Sequence, residues 1–147
     1  MALDDTAATR LGRAVAADVA VHTGKSGIHA IPTPADAFAA RVLLASAADK
    51  SLDVQYYIWN GDQTGYLLYD AVWRAAERGV RVRILLDDAN TGGLDETIAA
   101  LDAHPNIEVR LFNPFANRRF RLADLGDFAR LNRRMHNKSF TGDNQMT

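Results

Sequence analysis

Two periods of apolar residues alternate along this chain. Leu67, Leu68, Ala71, Val72, Ala75 and Ala76 recur at the spacing of one helical face, and Leu94, Ile98 and Leu101 repeat that spacing further on. Between and around them lie short runs rich in β-branched and aromatic residues, Ser51 to Trp59, Val80 to Leu86 and Ile107 to Phe112, which predict buried strands. In Thr33-Pro34-Ala35-Asp36 an N-cap hydroxyl precedes a proline at the first helical position and an acid facing the helix dipole, so a helix is predicted from Pro34 to about Ala48. Thr64 is the expected cap of the next helix and Gly79 its stop, while Thr91-Gly92-Gly93 and His104-Pro105-Asn106 frame the one after. Towards the N-terminus, Thr6 to Val21 reads as a short helix and Ser26 to Ile31 as a brief strand-like run.

Strands alternating with helices at this spacing predict an α/β fold. It is built from βαβ units with right-handed crossovers, as a mostly parallel sheet flanked by helices and covered on both faces. Asn113-Pro114 ends the alternation. From Asn117 to Arg134 the chain is Arg-rich, with Phe120, Leu122, Leu125, Phe128 and Leu131 interspersed, which predicts one or two short amphipathic helices interrupted near Gly126. Met135 to Thr141 is a further strand candidate, followed by the turn signal Gly142-Asp143-Asn144. Such a turn commits the chain to a returning strand, and with only a few residues left to begin it the sequence is expected to be a fragment.

A length of 147 residues with 48% apolar and 24% charged side chains fits one globular domain and excludes disordered, collagen-like and coiled-coil readings. The longest stretch without a charge, Ser26 to Ala35, holds two prolines and is too short to cross a bilayer, so any membrane contact is expected to be peripheral. Without cysteine there are no disulfides, thiolate nucleophiles or Cys-ligated zinc. His22, His29, His104 and His136 match no short-range metal-ligand pair, so no metal or other cofactor is expected. Charge changes the picture more. Residues 1–116 carry ten basic and fifteen acidic side chains, whereas residues 117–147 carry seven and three, an acidic body with a basic tail suited to an anionic partner.

The chemistry-bearing pattern lies in that tail. His136, Lys138 and Asp143 are spaced H-x-K-x(4)-D, and on a strand the first two would face the same side. An imidazole can attack phosphorus while an ammonium holds the non-bridging oxygens whose charge must be stabilised in the transition state. Asp143, an odd number of residues on, would reach them only through the Gly142 turn. Such a triplet arises by chance about once in a hundred chains of this composition, so spacing alone leaves two readings level. One is a phosphate-handling site; the other is a surface His and Lys with Asp143 serving the turn.

The segment Arg133-Arg134-Met135-His136-Asn137-Lys138-Ser139-Phe140-Thr141-Gly142-Asp143 resembles the first half-site of the phospholipase D superfamily, in its bacterial cardiolipin synthase-like branch. The likeness extends through Leu52-Asp53-Val54-Gln55-Tyr56-Tyr57-Ile58-Trp59, Asp62-Gln63-Thr64-Gly65, Arg81 to Asp88 and Asn106 to Pro114, roughly residues 26–147. It implies a first phospholipase D-like domain over 26–147, incomplete at its C-terminal side, with 1–25 as an extension. It also implies metal-independent phosphodiester exchange on glycerophospholipids through a phosphohistidine, with His136 as nucleophile, Lys138 as phosphate clamp and Asp143 as supporting partner. A second half-site, from a missing C-terminal half or a second chain, would supply the acid that protonates the leaving alcohol. No second H-x-K-x(4)-D occurs here, so the isolated chain is expected to be nearly inactive.

The implied setting is bacterial, peripheral at the cytoplasmic membrane, with a phospholipid as substrate and no nucleic-acid partner. A nuclease or other phosphodiesterase on the same scaffold, or a non-catalytic phosphate- or lipid-binding module, are the rivals. The six arginines between Phe112 and Arg134 suit anionic lipid, a nucleic-acid backbone or plain solvent exposure. Asp87 and Asp88 close a strand where α/β ligands commonly bind; they could hold Mg²⁺, but capping the Thr91 loop and orienting polar neighbours is the favoured role. Tyr56, Tyr57 and Trp59 are expected in the core or a pocket wall, and His29 and His104 as ordinary loop residues.

Overall fold

A computed structural model describes residues 3, 5–118 and 132–147. The segments predicted from sequence form as α1 (Arg10–Val21), which starts four residues later than expected, α2 (Pro34–Ala47), β1 (Ser51–Tyr56), which ends early, β2 (Arg81–Asp87) and β3 (Ile107–Phe112). Between them run α3 (Gln63–Glu77) and α4 (Asp95–Asp102), with a single 3-10 turn at Asp88–Asn90, and β4 (Ser139–Gly142) follows. The sheet order is β3-β2-β1-β4, with β1, β2 and β3 parallel and β4 antiparallel to β1. The expected mixed α/β architecture, a largely parallel sheet flanked by helices, is the one that forms.

Register explains which side of the sheet is covered. Leu52 lies beside Val82, and Val54 beside Ile84, which in turn neighbours Val109, so alternate residues build one apolar face. That face packs against Leu68, Val72, Ala75 and Ala76 of α3 and Ile98 and Leu101 of α4, and these side chains form one buried core. Fully burying a Val, Leu or Ile contributes about 2 kcal/mol, so this interface dominates the stability of the fold. The intervening positions are polar except Leu85 and Phe112. Asp53, Arg83 and Glu108 stand side by side across three strands, and Asp53 bonds Arg83 at 2.5 Å, holding that guanidinium still more firmly protonated. Cover on both faces is therefore not seen among the described residues. Both crossovers advance in the same direction, from β1 to β2 to β3, and right-handed connections then place α3 and α4 on the same side.

Three local expectations are corrected. Ser26 to Ile31 forms no strand; it is exposed coil, with Ile28 95% accessible, and joins none of the four strands of the sheet. β1 stops at Tyr56 rather than Trp59, where its paired register with β2 ends, and Trp59 turns into the core to stack on Tyr69 and donate from Nε1 to the Gly65 carbonyl. The cap of α3 is Asp62, not Thr64: its carboxylate accepts from the Gly65 N–H at 2.8 Å and from the Thr64 hydroxyl. Those two donors hold the Asp62 carboxyl below the usual range. Thr33 does cap α2, accepting from the Asp36 N–H. Gly79 ends α3 with φ +90°, a conformation that other residues adopt only with strain. The amphipathic helices predicted around Phe120, Leu122, Leu125, Gly126, Phe128 and Leu131 lie outside the described residues.

α1 is fastened to the body. The Arg10 N–H and guanidinium both donate to Asp49, keeping that carboxyl below its ordinary pKa, chiefly through the main-chain bond. Leu11 is buried against the Gly142 region, and Gln145 bonds Thr6.

Candidate active site

The C-terminal end of β1 is where the predicted residues gather. His136 and Lys138 precede β4 rather than lying in it, because the β1–β4 ladder begins at Gln55 opposite Ser139 and β1 ends one residue later. The same-face argument from strand geometry therefore does not apply to them, and another feature aligns the pair. The His136 ring lies over Tyr57 with centroids 4.2 Å apart and planes 39° apart, and Lys138 Nζ sits 5.5 Å from the centroid of that same ring. Lys138 Nζ also donates to the His136 carbonyl at 3.3 Å, and Asn137 Nδ2 reaches Gln55 Oε1 at 3.3 Å. Both functional side chains are exposed, so neither is sealed from an incoming substrate. An imidazole and an ammonium held against one aromatic ring can engage one phosphate group together.

Asp143 is placed elsewhere. It has no exposed surface, and its carboxylate accepts from the main-chain N–H groups of Asp49, Lys50 and Ser51 at 2.7–3.2 Å, while its own N–H donates to the Ser51 carbonyl. Asp143 and Asn144 have φ of +52° and +54°, the signature of a type I′ hairpin turn closed by the Gln145 N–H on the Gly142 carbonyl. The aspartate of the motif thus ties the β4 turn to the α2–β1 junction, and His136 and Lys138 are not among its hydrogen-bond partners.

Three further residues named from the sequence matter here. Tyr57, expected as core or pocket wall, is half-buried and forms the ring on which His136 and Lys138 meet. Asp87 and Asp88 have no exposed surface and are paired with arginines, Asp87 with Arg134 at 3.1 Å and Asp88 with Arg118. Asp88 also accepts from the Thr91 hydroxyl and the Phe115 N–H, which is the loop-holding role favoured for it. His104 is a structural residue, bonded to Glu77 and to the Asn106 N–H and edge-on to Trp73. A cavity of about 240 Å³ opens beside Arg41, Tyr56 and Trp59, on the helix-covered side of β1, and His136 does not line it. Among the described residues no helix is long and apolar enough to cross a membrane, and no three His, Asp or Glu residues cluster as a metal site.

Comparison with known proteins identifies the family. The family model for the phospholipase D-like domain of cardiolipin synthase matches residues 42–147. Cardiolipin synthase C of Escherichia coli K12 is 56% identical over 139 residues, covering 94% of this chain and 29% of that protein. Major cardiolipin synthase ClsA of Bacillus subtilis 168 is 31% identical over 119 residues, covering 81% of this chain and 23% of its own length. Among solved structures, NucT from Helicobacter pylori aligns with TM-score 0.46 at 26% identity over 53% of this chain and 47% of its own. The chain thus spans less than a third of the length of these cardiolipin synthases. With a family model matching well over half its residues, and with the resemblance read from its motifs upheld, the chain belongs to the phospholipase D-like domain family of the cardiolipin synthases.

Proposed function

We propose that this domain supplies the nucleophilic half-site of a phosphodiester-exchange enzyme acting on glycerophospholipids. The observation that carries the reading is the meeting of His136 and Lys138 on Tyr57, both exposed, in a chain 56% identical to a cardiolipin synthase. A ring nitrogen of His136 donates its lone pair to phosphorus, the bond to the leaving alcohol breaks, and the alkoxide takes a proton from an acid outside this half-site. The Lys138 ammonium holds the non-bridging oxygens as charge gathers on them. An acceptor alcohol or water then attacks phosphorus, loses its proton to that same outside group, and frees the imidazole. No step needs a metal.

One H-x-K-x(4)-D occurs in the sequence, so the acid comes from a second half-site, contributed by further polypeptide or by a second chain. Asp143 serves the reaction by anchoring β4, the strand that His136 and Lys138 lead into. A phospholipid substrate places the enzyme at a membrane surface, where the arginines of residues 119–133 suit anionic head groups.

The test is a protein that includes both half-sites. His136→Asn is expected to abolish lipid exchange and the covalent adduct, which mass spectrometry should locate on the peptide carrying His136 in the unaltered protein. Turnover that survives His136→Asn refutes the assignment. Cleavage of DNA with no reaction on phosphatidylglycerol refutes the substrate class.

A further inference from the structure

Residues 132–138 belong to no helix or strand, so main-chain ladders do not hold His136. A nucleophile placed to within a fraction of an ångström needs some other support on its N-terminal side. Gln55 of β1 and Tyr57, just beyond its end, contact residues 136–138. On the other side, the two residues before His136 are gripped by one carboxylate. Asp87 Oδ2 accepts from the Met135 N–H at 2.8 Å, and Oδ1 accepts from Arg134 Nη1 at 3.1 Å and from the Ala89 N–H at 2.9 Å. The Arg134 guanidinium also lies 5.5 Å from the centre of the Phe115 ring, and the Met135 side chain is buried.

We propose that Asp87 is the positioning residue for the His136 imidazole, a proposal that rests on the reading of His136 as nucleophile. Asp87 closes β2, the central parallel strand next to β1, so its carboxylate is fixed relative to the core. Through Met135 and Arg134 it sets where the chain stands one bond before His136, and Tyr57 then meets the ring. A buried carboxylate is costly unless charged partners and hydrogen bonds satisfy it, and here two of its three bonds go to those two residues. Its neighbour Asp88 provides the internal contrast. Equally buried at the same strand end, it holds Phe115, Arg118 and Thr91 instead.

The experiment compares Asp87→Asn with Asp88→Asn in the full chain by NMR, reading the His136 ring protons, which the neighbouring Tyr57 ring, 4.2 Å away between centroids, shifts upfield. Asp87→Asn is expected to return those signals towards free histidine, while Asp88→Asn leaves them in place. An unmoved signal in Asp87→Asn, or an equal displacement in both variants, overturns the proposal. If Asp87→Asn does not fold, amide exchange in the unaltered chain decides. A Met135 amide exchanging as slowly as those of β1 supports the bond to Asp87, and one exchanging at the rate of an unprotected amide overturns it.

In a protein with both half-sites, Asp87→Asn should lower kcat about 100-fold with KM little changed, the signature of a displaced nucleophile rather than a lost binding contact. Ring signals that depend on Asp87 without any adduct on His136 would refute the phosphohistidine reading and leave the positioning intact. An adduct on His136 whose yield is indifferent to Asp87→Asn would do the reverse.

Discussion

Replacing Asp143 by Asn separates a structural from a chemical role for the last residue of the motif. The carboxylate is fully buried and accepts from three main-chain N–H groups, those of Asp49, Lys50 and Ser51. Asn keeps one acceptor oxygen, which can still serve the Lys50 and Ser51 amides as a neutral partner. Its NH₂ then replaces Oδ2, which lies 3.0 Å from the Asp49 N–H, and leaves that amide only its longer 3.2 Å bond to Oδ1. Hydrogen bonds to a charged group contribute roughly 1.5–3 kcal/mol and neutral ones about 1, so weakening all three should destabilise by about 3 kcal/mol. For a domain of this size each kcal/mol moves Tm by roughly 2–4 °C, which gives a fall of about 10 °C. Calorimetry and urea unfolding followed by circular dichroism would measure it, with amide exchange quickening first in β4 and the α2–β1 junction. A variant melting within about 2 °C of the parent would refute the reasoning. If phosphohistidine formation were lost at the same time, Asp143 would instead belong to the chemistry.

Gly65 sits in the first turn of α3, where Ala would ordinarily gain about 1 kcal/mol in helix propensity. A Cβ there would stand 1.9 Å from the Asn60 carbonyl oxygen, so Gly65→Ala should instead destabilise by about 3 kcal/mol, visible as a lower urea midpoint. Asp62 caps the same helix with its carboxyl held below the ordinary value by the Gly65 N–H. A depressed folded-state pKa stabilises above the unfolded value of 3.8 and loses that contribution as pH falls through the folded value. Asp62→Ala should therefore lower stability at pH 7 and bring the two proteins together at the acid end of a pH series. Equal differences at every pH would contradict the cap. Tyr57→Leu should cost only about 1 kcal/mol, since the ring is half-buried, yet release His136 and Lys138 and sharply reduce adduct formation, whereas Tyr57→Phe should retain both. Unchanged His136 ring shifts in the Leu variant would rule the ring out.

The local alphabet was enough for the βαβ core. Val82, Ile84 and Leu86 recur at the period of a strand, Leu68, Val72, Ala75 and Ala76 follow the period of a helix, and Gly142-Asp143-Asn144 carries the residues that a type I′ turn requires. The H-x-K-x(4)-D spacing likewise marked the residues of interest before any fold was known. Partner choice was not legible, because it depends on which surfaces meet. Nothing local distinguishes Ser26 to Ile31, left without a neighbouring strand, from Ser139 to Gly142, which found β1. That Asp62 rather than Thr64 caps α3 is a local matter, settled by which side-chain oxygen reaches the Gly65 N–H three residues on. Only the tertiary structure decided that His136 and Lys138 are aligned by an aromatic ring about eighty residues away rather than by a strand, and that Asp87, nearly fifty residues upstream, holds the main chain before His136. Periodicity reports what each residue prefers over a few positions. Contacts between distant residues exist only once hydrophobic burial has closed the chain and fixed which side chains become neighbours.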